Sequence, residues 1–361
     1  MALNLRIIRD ISELRLAASG ADNVTSDSRM SPMQDPAWLL SGAEALLGRE
    51  SLMAAAIVDG GRLLALAVFS RGMGLFRGYR QVGHKELGEP GDFYYVDEAS
   101  LKALIEALYE LRMPIALDRT WGDAKSVDQL VSAYRGRGVV TINDAGSCPY
   151  IDLESCNGDS DQLLSRSLHS DLRRSRRKAE TLGEVTFDVH APVSEQEFLP
   201  LYEQAMRVEA AGWKGRSGTA LAMAQKQRNF FRRYGCSMAE RGALRLAFLR
   251  IGPKIVAMQY AVQANDRIWV LKIGYDEQYR SCSPGMLLMQ SMLRYAADCG
   301  LRSYEFLGSP APWINRWTTV GRSTIRVDVC HSRARYGVMR VNRTKNRLFS
   351  KLKEGWAENL G

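Results

Sequence analysis

The chain of 361 residues is long enough for about two domains, each able to bury a core of its own. Its 46% hydrophobic, 9% aromatic and 25% charged residues exclude disordered, collagen-like and disulfide-scaffold classes. The 49 basic residues against 40 acidic ones give a net +9, concentrated in Arg173 to Lys178 (RRSRRK) and in the tail from Arg333 to Lys353, which carries eight bases and no acid. Such clusters favour a polyanion: nucleic acid, an anionic membrane surface or a phosphate-rich ligand. A solvated helix face explains them equally well.

The N-terminus MALNLRIIRD meets Asp10 before an apolar run can form, and the longest apolar stretch, Leu63 to Phe69, is far short of the ~20 residues that span a bilayer. The chain therefore reads as cytoplasmic, with no signal peptide or transmembrane helix. Six scattered cysteines without a C-x-x-C pair and four scattered histidines predict reduced thiols and no metal site.

In chain order, Met53 to Phe69 reads as a hairpin around Asp59-Gly60-Gly61, followed by the loop GHKELGEPGD, a helix near Leu101 to Leu111 and the strand PIALD. SCPYIDLES (Ser147 to Ser155) reads as a strand, and Asn157-Gly158-Asp159-Ser160 breaks the chain. A long helix then carries Leu164, Leu168, Leu172, Ala179 and Leu182 on one side and the RRSRRK bases partly on its polar side, and Gly183 stops it. Ser194 and Glu197 form a capping box with Val193 and Phe198 as its staple, opening a helix to about Glu209. The second half then repeats the plan of the first: the hairpin Ala243 to Gln263, the strand RIWVLKIGY, the loop DEQYRSCS, a helix from Pro284 to Cys299 and the strand SYEFLG. One supersecondary plan used twice predicts a tandem α/β (α+β) chain, divided near residue 158 into 1–157 and 158–361.

The segment Arg280-Ser-Cys-Ser283-Pro-Gly285 carries the chemistry. Ser283 suits an N-cap and Pro284 the first helical position, so the backbone N–H groups there point outward at the positive end of a helix, where a pyrophosphate binds. The plain alternative is a Ser-Pro-Gly helix start with no ligand.

Arg-x-x-Ser-x-Gly resembles the Arg/Gln-x-x-Gly-x-Gly/Ala loop of the Gcn5-related N-acetyltransferase (GNAT) superfamily. With CPYIDL, the Arg-rich helix, Trp213-Lys214-Gly215, GYDEQYRSCSPG and the strand ending FLG, the order of segments is similar to that of CelD-like acetyltransferases of cellulose and exopolysaccharide synthesis. The resemblance implies two tandem GNAT-like domains, each a mixed, mostly antiparallel twisted sheet flanked by helices. The first is degenerate, because GHKELGEPGD lacks the phosphate loop. It implies acetyl-CoA or another acyl-CoA as co-substrate, held by Ile273, Gly274, Arg280, Ser283, Gly285 and Met286, with the strand before the loop splaying open at Ile273 to Tyr275. For the acceptor it implies a sugar or glycan-precursor unit, with Trp213, Lys214 and Trp317 as the candidate contacts; Trp213 alternatively anchors its loop to the core. A polysaccharide synthase or the anionic inner membrane surface is the implied partner.

Acyl transfer needs two oriented substrates, a base for the nucleophile and an oxyanion site. Glu209 is the favoured base, at a helix end beside Gly-Trp-Lys-Gly, with Asp276 and Glu305 as further candidates. Asp276 alternatively caps its loop, and Glu305 alternatively pairs with Arg280 or Arg302. Between Glu305 and Arg335 there is no Tyr, where many superfamily members place their acid, only Trp313 and Trp317; either the thiolate leaves without an acid or Tyr275 is the donor. Two competing readings remain: a tRNA-dependent aminoacyltransferase of the peptidoglycan cross-bridge type, which alone calls for a nucleic-acid partner, and a non-catalytic GNAT partner of a polysaccharide synthase.

Overall fold

The computed structural model describes residues 4–21, 30–47, 51–71, 78–156, 158–212, 221–334 and 336–337. In chain order the elements are β1 (Asn4–Ile8), α1 (Ile11–Ser19), α2 (Pro36–Leu46), β2 (Ser51–Asp59), β3 (Arg62–Arg71), β4 (Tyr79–Gln81), α3 (His84–Leu87), β5 (Tyr94–Tyr95), α4 (Glu98–Glu110), β6 (Ile115–Trp121), α5 (Lys125–Tyr134), β7 (Val139–Asp152), α6 (Arg166–Glu180), β8 (Val185–His190), α7 (Glu195–Ala211), α8 (Leu221–Glu240), β9 (Leu244–Ile251), β10 (Lys254–Ala264), β11 (Arg267–Tyr275), α9 (Pro284–Asp298), β12 (Ser303–Glu305) and β13 (Gly321–Cys330).

Two units are distinguished: residues 1–27, 42–145 and 324–361, and residues 28–41 and 146–323. The expected boundary at 157/158 therefore differs from the division at 145/146, which falls inside β7. That strand runs unbroken to Asp152, and the chain returns to the first unit after Ser323.

In the first unit the strands follow the order β1-β2-β3-β4-β6-β13, antiparallel except for β4 against β6. The β2–β3 hairpin closes through Gly60 and Gly61 at φ 56° and 90°, the left-handed pair that a two-residue turn requires. Asp97 caps α4 by accepting the Ser100 N–H at 2.7 Å, and Leu101, Leu104 and Leu108 then share one core with Ile57 and Phe69 of the sheet.

In the second unit the order is β7-β12-β11-β10-β9-β8, antiparallel except for β11 against β12. Helix α6 starts at Ser165, whose hydroxyl accepts the Leu168 N–H at 3.2 Å. It buries Leu168, Leu172 and Ala179 and leaves its arginines outside. At α7, Ser194 accepts from the Glu197 N–H as expected. The Glu197 carboxylate, however, takes the N–H of Val193, one residue before the cap, and Val193 is 61% exposed and staples nothing.

One feature of this sheet positions the site. Strands β11 and β12 pair only from Arg267 with Ser303 to Trp269 with Glu305, whereas β11 continues to Tyr275 against β10 alone. Beyond Trp269 the two strands part.

Candidate active site

Where β11 leaves β12, a cavity of about 460 Å³ opens between β10, β11, β12, the C-terminal end of α7 and the N-terminal end of α9. Two glycines bring α7 against the strand. A Cβ at Gly274 would lie 3.1 Å from Glu209 Cα, and one at Gly212 would lie 3.0 Å from the Tyr275 carbonyl oxygen, so larger residues would push the helix back. Two residues before Gly274, and hence on the same face of β11, Lys272 donates to Glu209 Oε1 at 2.6 Å. The Lys272 ammonium also lies 4.9 Å from the centre of the Phe231 ring.

Tyr275 faces the other side of the strand, toward α9. The loop between them begins at Asp276, whose N–H donates to the Val256 carbonyl of β10 and whose carboxylate accepts the Gln278 N–H, both at 2.9 Å. Because Asp276 points to β10, alternation turns the N–H groups of Ile273 and Tyr275 away from β10 toward the gap, which is where an oxyanion site needs donors. A single 3-10 helix over Glu277–Cys282 follows, and then Ser283 in the left-handed region at φ 49°, ψ 55°.

Ser283 is the N-cap of α9, as expected, but it caps without its side chain. Its hydroxyl makes no capping bond, while its carbonyl accepts the first helical N–H groups, those of Met286 and Leu287, at 3.0 and 3.2 Å. The backbone conformation is one that glycine adopts without penalty, which accounts for the glycine at this place in the loop that the sequence resembles. Pro284 has no N–H, so Gly285 is the first residue of α9 able to offer one. A Cβ on Gly285 would meet only Tyr275 Cδ1, at 3.5 Å, so the space beside this amide is open to the cavity. Glycine-sized room, a helix N-terminus and the Arg280 guanidinium on the same wall fit a diphosphate.

Glu209, Ile273, Gly274, Tyr275, Arg280, Ser283, Gly285 and Met286 thus line one cavity. Three other expected residues stand elsewhere. Asp276 spends its carboxylate on capping the loop and faces a separate depression with Arg207 and Arg250. Glu305 is fully buried, with its carboxylate saturated by Ser303 Oγ at 2.6 Å, Arg322 at 2.9 Å and Arg267 at 3.3 Å. Its partners are not Arg280 or Arg302, and Arg302 pairs with Glu154 instead. A buried carboxylate held this way balances charge and has no free lone pair aimed at the cavity. Trp317 is packed in the core, while Trp313, four residues earlier, lines the cavity at 38% exposure. Trp213 and Lys214 lie outside the described residues, as does the basic tail beyond Gly337.

Sequence reasoning missed Lys272, Gln259, Tyr304 and Trp313. Gln259 donates to the Tyr304 hydroxyl, both side chains are buried, and both line the cavity; burial pushes the Tyr304 hydroxyl far above its ordinary range. Lone polar residues inside otherwise apolar strands, Lys272 in RIWVLKIGY and Gln259 in KIVAMQYAV, are the signal that marks them. Among the described residues no group of His, Cys, Asp and Glu is placed to hold a metal ion, and no helix is long and apolar enough to cross a membrane.

Residues 166–314 match the acetyltransferase (GNAT) domain family. No curated protein matches the sequence. Among solved structures, the C-terminal domain of an Agrobacterium fabrum protein assigned as a lysylphosphatidylglycerol synthetase is similar at a TM-score of 0.57 and 12% identity, over 93% of this chain and 96% of that one. L-PGS from Bacillus licheniformis is similar at 0.53 and 13%, over 89% and 92%. FemX is similar at 0.53 and 11%, over 90% and 96%. At such identities the likeness is one of fold. The chain is a mixed α/β protein, and the stretch of it that matches the acetyltransferase (GNAT) domain, residues 166–314, lies within its second unit.

Proposed function

We propose that the second unit transfers an acyl group from acyl-CoA to an amine or hydroxyl of a sugar unit in a polysaccharide pathway, as the CelD-like order of segments implies. The observation that carries the reading is the joining, in one cavity, of a carboxylate on α7 with the loop from Arg280 to Gly285. Arg280, Ser283, Gly285 and Met286 hold the diphosphate of CoA, which supplies an activated thioester. Glu209, placed by Gly212 and Gly274, takes the proton of the attacking group. The N–H groups of Ile273 and Tyr275 receive the developing oxyanion. Of the two cavity phenols, Tyr304 is engaged by Gln259, and Tyr275 is the one left to protonate the departing thiolate. Asp276 and Glu305 hold the loop and the base of β12 in place. The test is thiol release from acetyl-CoA in the presence of a panel of amino sugars. Acceptor-dependent release supports the reading, and a protein that neither binds CoA calorimetrically nor releases thiol overturns it.

A second reading, aminoacyl transfer from an ester on tRNA, is favoured by the likeness in fold, over nine-tenths of the chain, to the C-terminal domain of a protein assigned as a lysylphosphatidylglycerol synthetase and to FemX. The same assay with aminoacyl-tRNA in place of acyl-CoA separates the two.

A further inference from the structure

On the side of α9 away from the cavity lies a groove of about 920 Å³ between α6 and α9. Met286, Leu288 and Met289 turn toward the cavity, and Leu287, Gln290, Ser291 and Arg294 turn toward the groove. Five guanidinium groups line it, those of Arg166, Arg173, Arg176, Arg177 and Arg294, against the carboxylates of Asp161 and Glu180, a net +3. The two carboxylates already have partners: Asp161 holds Arg294 and Glu180 holds Arg176. Arg166, Arg173 and Arg177 are exposed and have no acidic partner among the described residues. They stand at i, i+7 and i+11, so they share one face of α6 and extend over about 16 Å of it.

The two helices are antiparallel. Asp161, just before α6, holds Arg294 late in α9, and Lys178 near the end of α6 lies close enough to act on the Cys282 thiol just before α9. The Arg177 end of the groove therefore lies by the loop that leads to the cavity. A single phosphate cannot engage three guanidinium groups spread over this length, so the groove holds more positive charge than one small cofactor uses. Its floor is formed by Leu172 and Leu287, and the one aromatic ring that lines it, His169, is tied at 2.8 Å from its Nε2 to the Asp161 carbonyl oxygen. A concave row of guanidinium groups with no Phe, Tyr or Trp beside it matches the phosphates of a strand, not its bases, and suits a flat bilayer poorly.

We propose that the α6–α9 groove binds the phosphodiester backbone of a single RNA strand, independently of base sequence. The proposal rests on neither reading of the acyl donor, since the cavity and the groove use different residues. Fluorescence anisotropy with a short labelled oligoribonucleotide on the full chain tests it. Binding should weaken steeply with salt, and each arginine removed should lower the slope of log K against log salt by about 0.7. The double variant Arg173→Glu/Arg177→Glu should lose roughly tenfold or more in affinity per arginine while its circular dichroism and its CoA titration stay unchanged. Gly285→Val, which alters the cavity only, should keep RNA binding intact. Unchanged RNA affinity in the double variant overturns the proposal. So does wild-type protein that ignores RNA but binds vesicles containing phosphatidylglycerol through the same arginines, which would make the groove a membrane contact.

Discussion

Lys272 Nζ donates to Glu209 Oε1 at 2.6 Å, and the two side chains are only 12% and 19% exposed. This contact fixes the end of the Glu209 side chain at the cavity wall, and among the described residues no group donates to its other oxygen. Glu209→Gln keeps the length and can still accept from Lys272, yet it removes the proton acceptor. The expected result is a fall in kcat of ~10²- to 10⁴-fold with CoA affinity within about twofold of wild type. Lys272→Met should cost less and should add little on top of Glu209→Gln, because Lys272 acts through Glu209. Steady-state kinetics of the two single variants and the double variant decide it, and normal turnover in Glu209→Gln would sink the assignment.

The close approach of α7 to β11 gives a second prediction. In Gly274→Ala the new methyl would lie 3.1 Å from Glu209 Cα, so the helix must shift by some tenths of an ångström. Such overpacking costs about 1 to 3 kcal/mol and should displace the base, lowering both melting temperature and kcat. If Gly274→Ala melts and turns over like wild type, the glycine does not set the position of Glu209.

Much of this arrangement is legible in the sequence, and for identifiable reasons. The two hairpins, α4, α7 and α9 follow from turn chemistry and apolar spacing, which are local, and the loop from Arg280 to Gly285 declares itself by composition. The partners of Glu305 do not, because Arg267 and Arg322 reach it only once β11, β12 and the start of β13 lie together. Nor does spacing tell that Trp317 turns into the core and Trp313 into the cavity. The division inside β7 is illegible for a related reason: a strand continuing from one unit into the next shows no turn residue at the boundary.

The left-handed backbone of Ser283 leads to a third prediction. A non-glycine residue there costs roughly 1 kcal/mol, and the hydroxyl gives no capping bond in return. Ser283→Gly should therefore be neutral to stabilising by up to about 1 kcal/mol, the gain being reduced by the freer unfolded chain. Ser283→Val, branched at Cβ, should destabilise by roughly 1 to 2 kcal/mol. Thermal denaturation of the two variants checks the order, and a less stable glycine variant would contradict it.

Asp92 in the first unit is buried and accepts the Phe93 N–H at 2.7 Å, and burial pushes its carboxyl up from 3.8 to about 6. The folded chain then binds more proton than the unfolded one between these values, so stability is lost as pH rises through that window. The full loss, about 3 kcal/mol, is reached above pH 6. Asp92→Asn keeps an acceptor for Phe93 without the charge. It should raise urea resistance at neutral pH and have little effect near pH 4; an equal effect at both would show that titration of Asp92 is not the cause.

Gly285 offers the sharpest test of the cavity, because stability and affinity should move in opposite directions. Its backbone is not in the left-handed region, and an added Cβ would make only an ordinary contact of 3.5 Å with Tyr275 Cδ1. Gly285→Ala should therefore leave the fold intact or stabilise it by about 0.4 to 1 kcal/mol, since alanine loses less chain entropy at a helical position. The same methyl would stand in the space beside the first free amide of α9, where the phosphate must come close. Affinity for CoA should fall in Gly285→Ala and fall further in Gly285→Val, with free diphosphate losing its ability to compete. Arg280→Ala should weaken CoA by roughly 1 to 3 kcal/mol if the guanidinium pairs with the same phosphates. Calorimetric titration and melting curves on the same samples provide both readouts. A Gly285→Val protein that melts normally and binds CoA as tightly as wild type would move the diphosphate out of this loop.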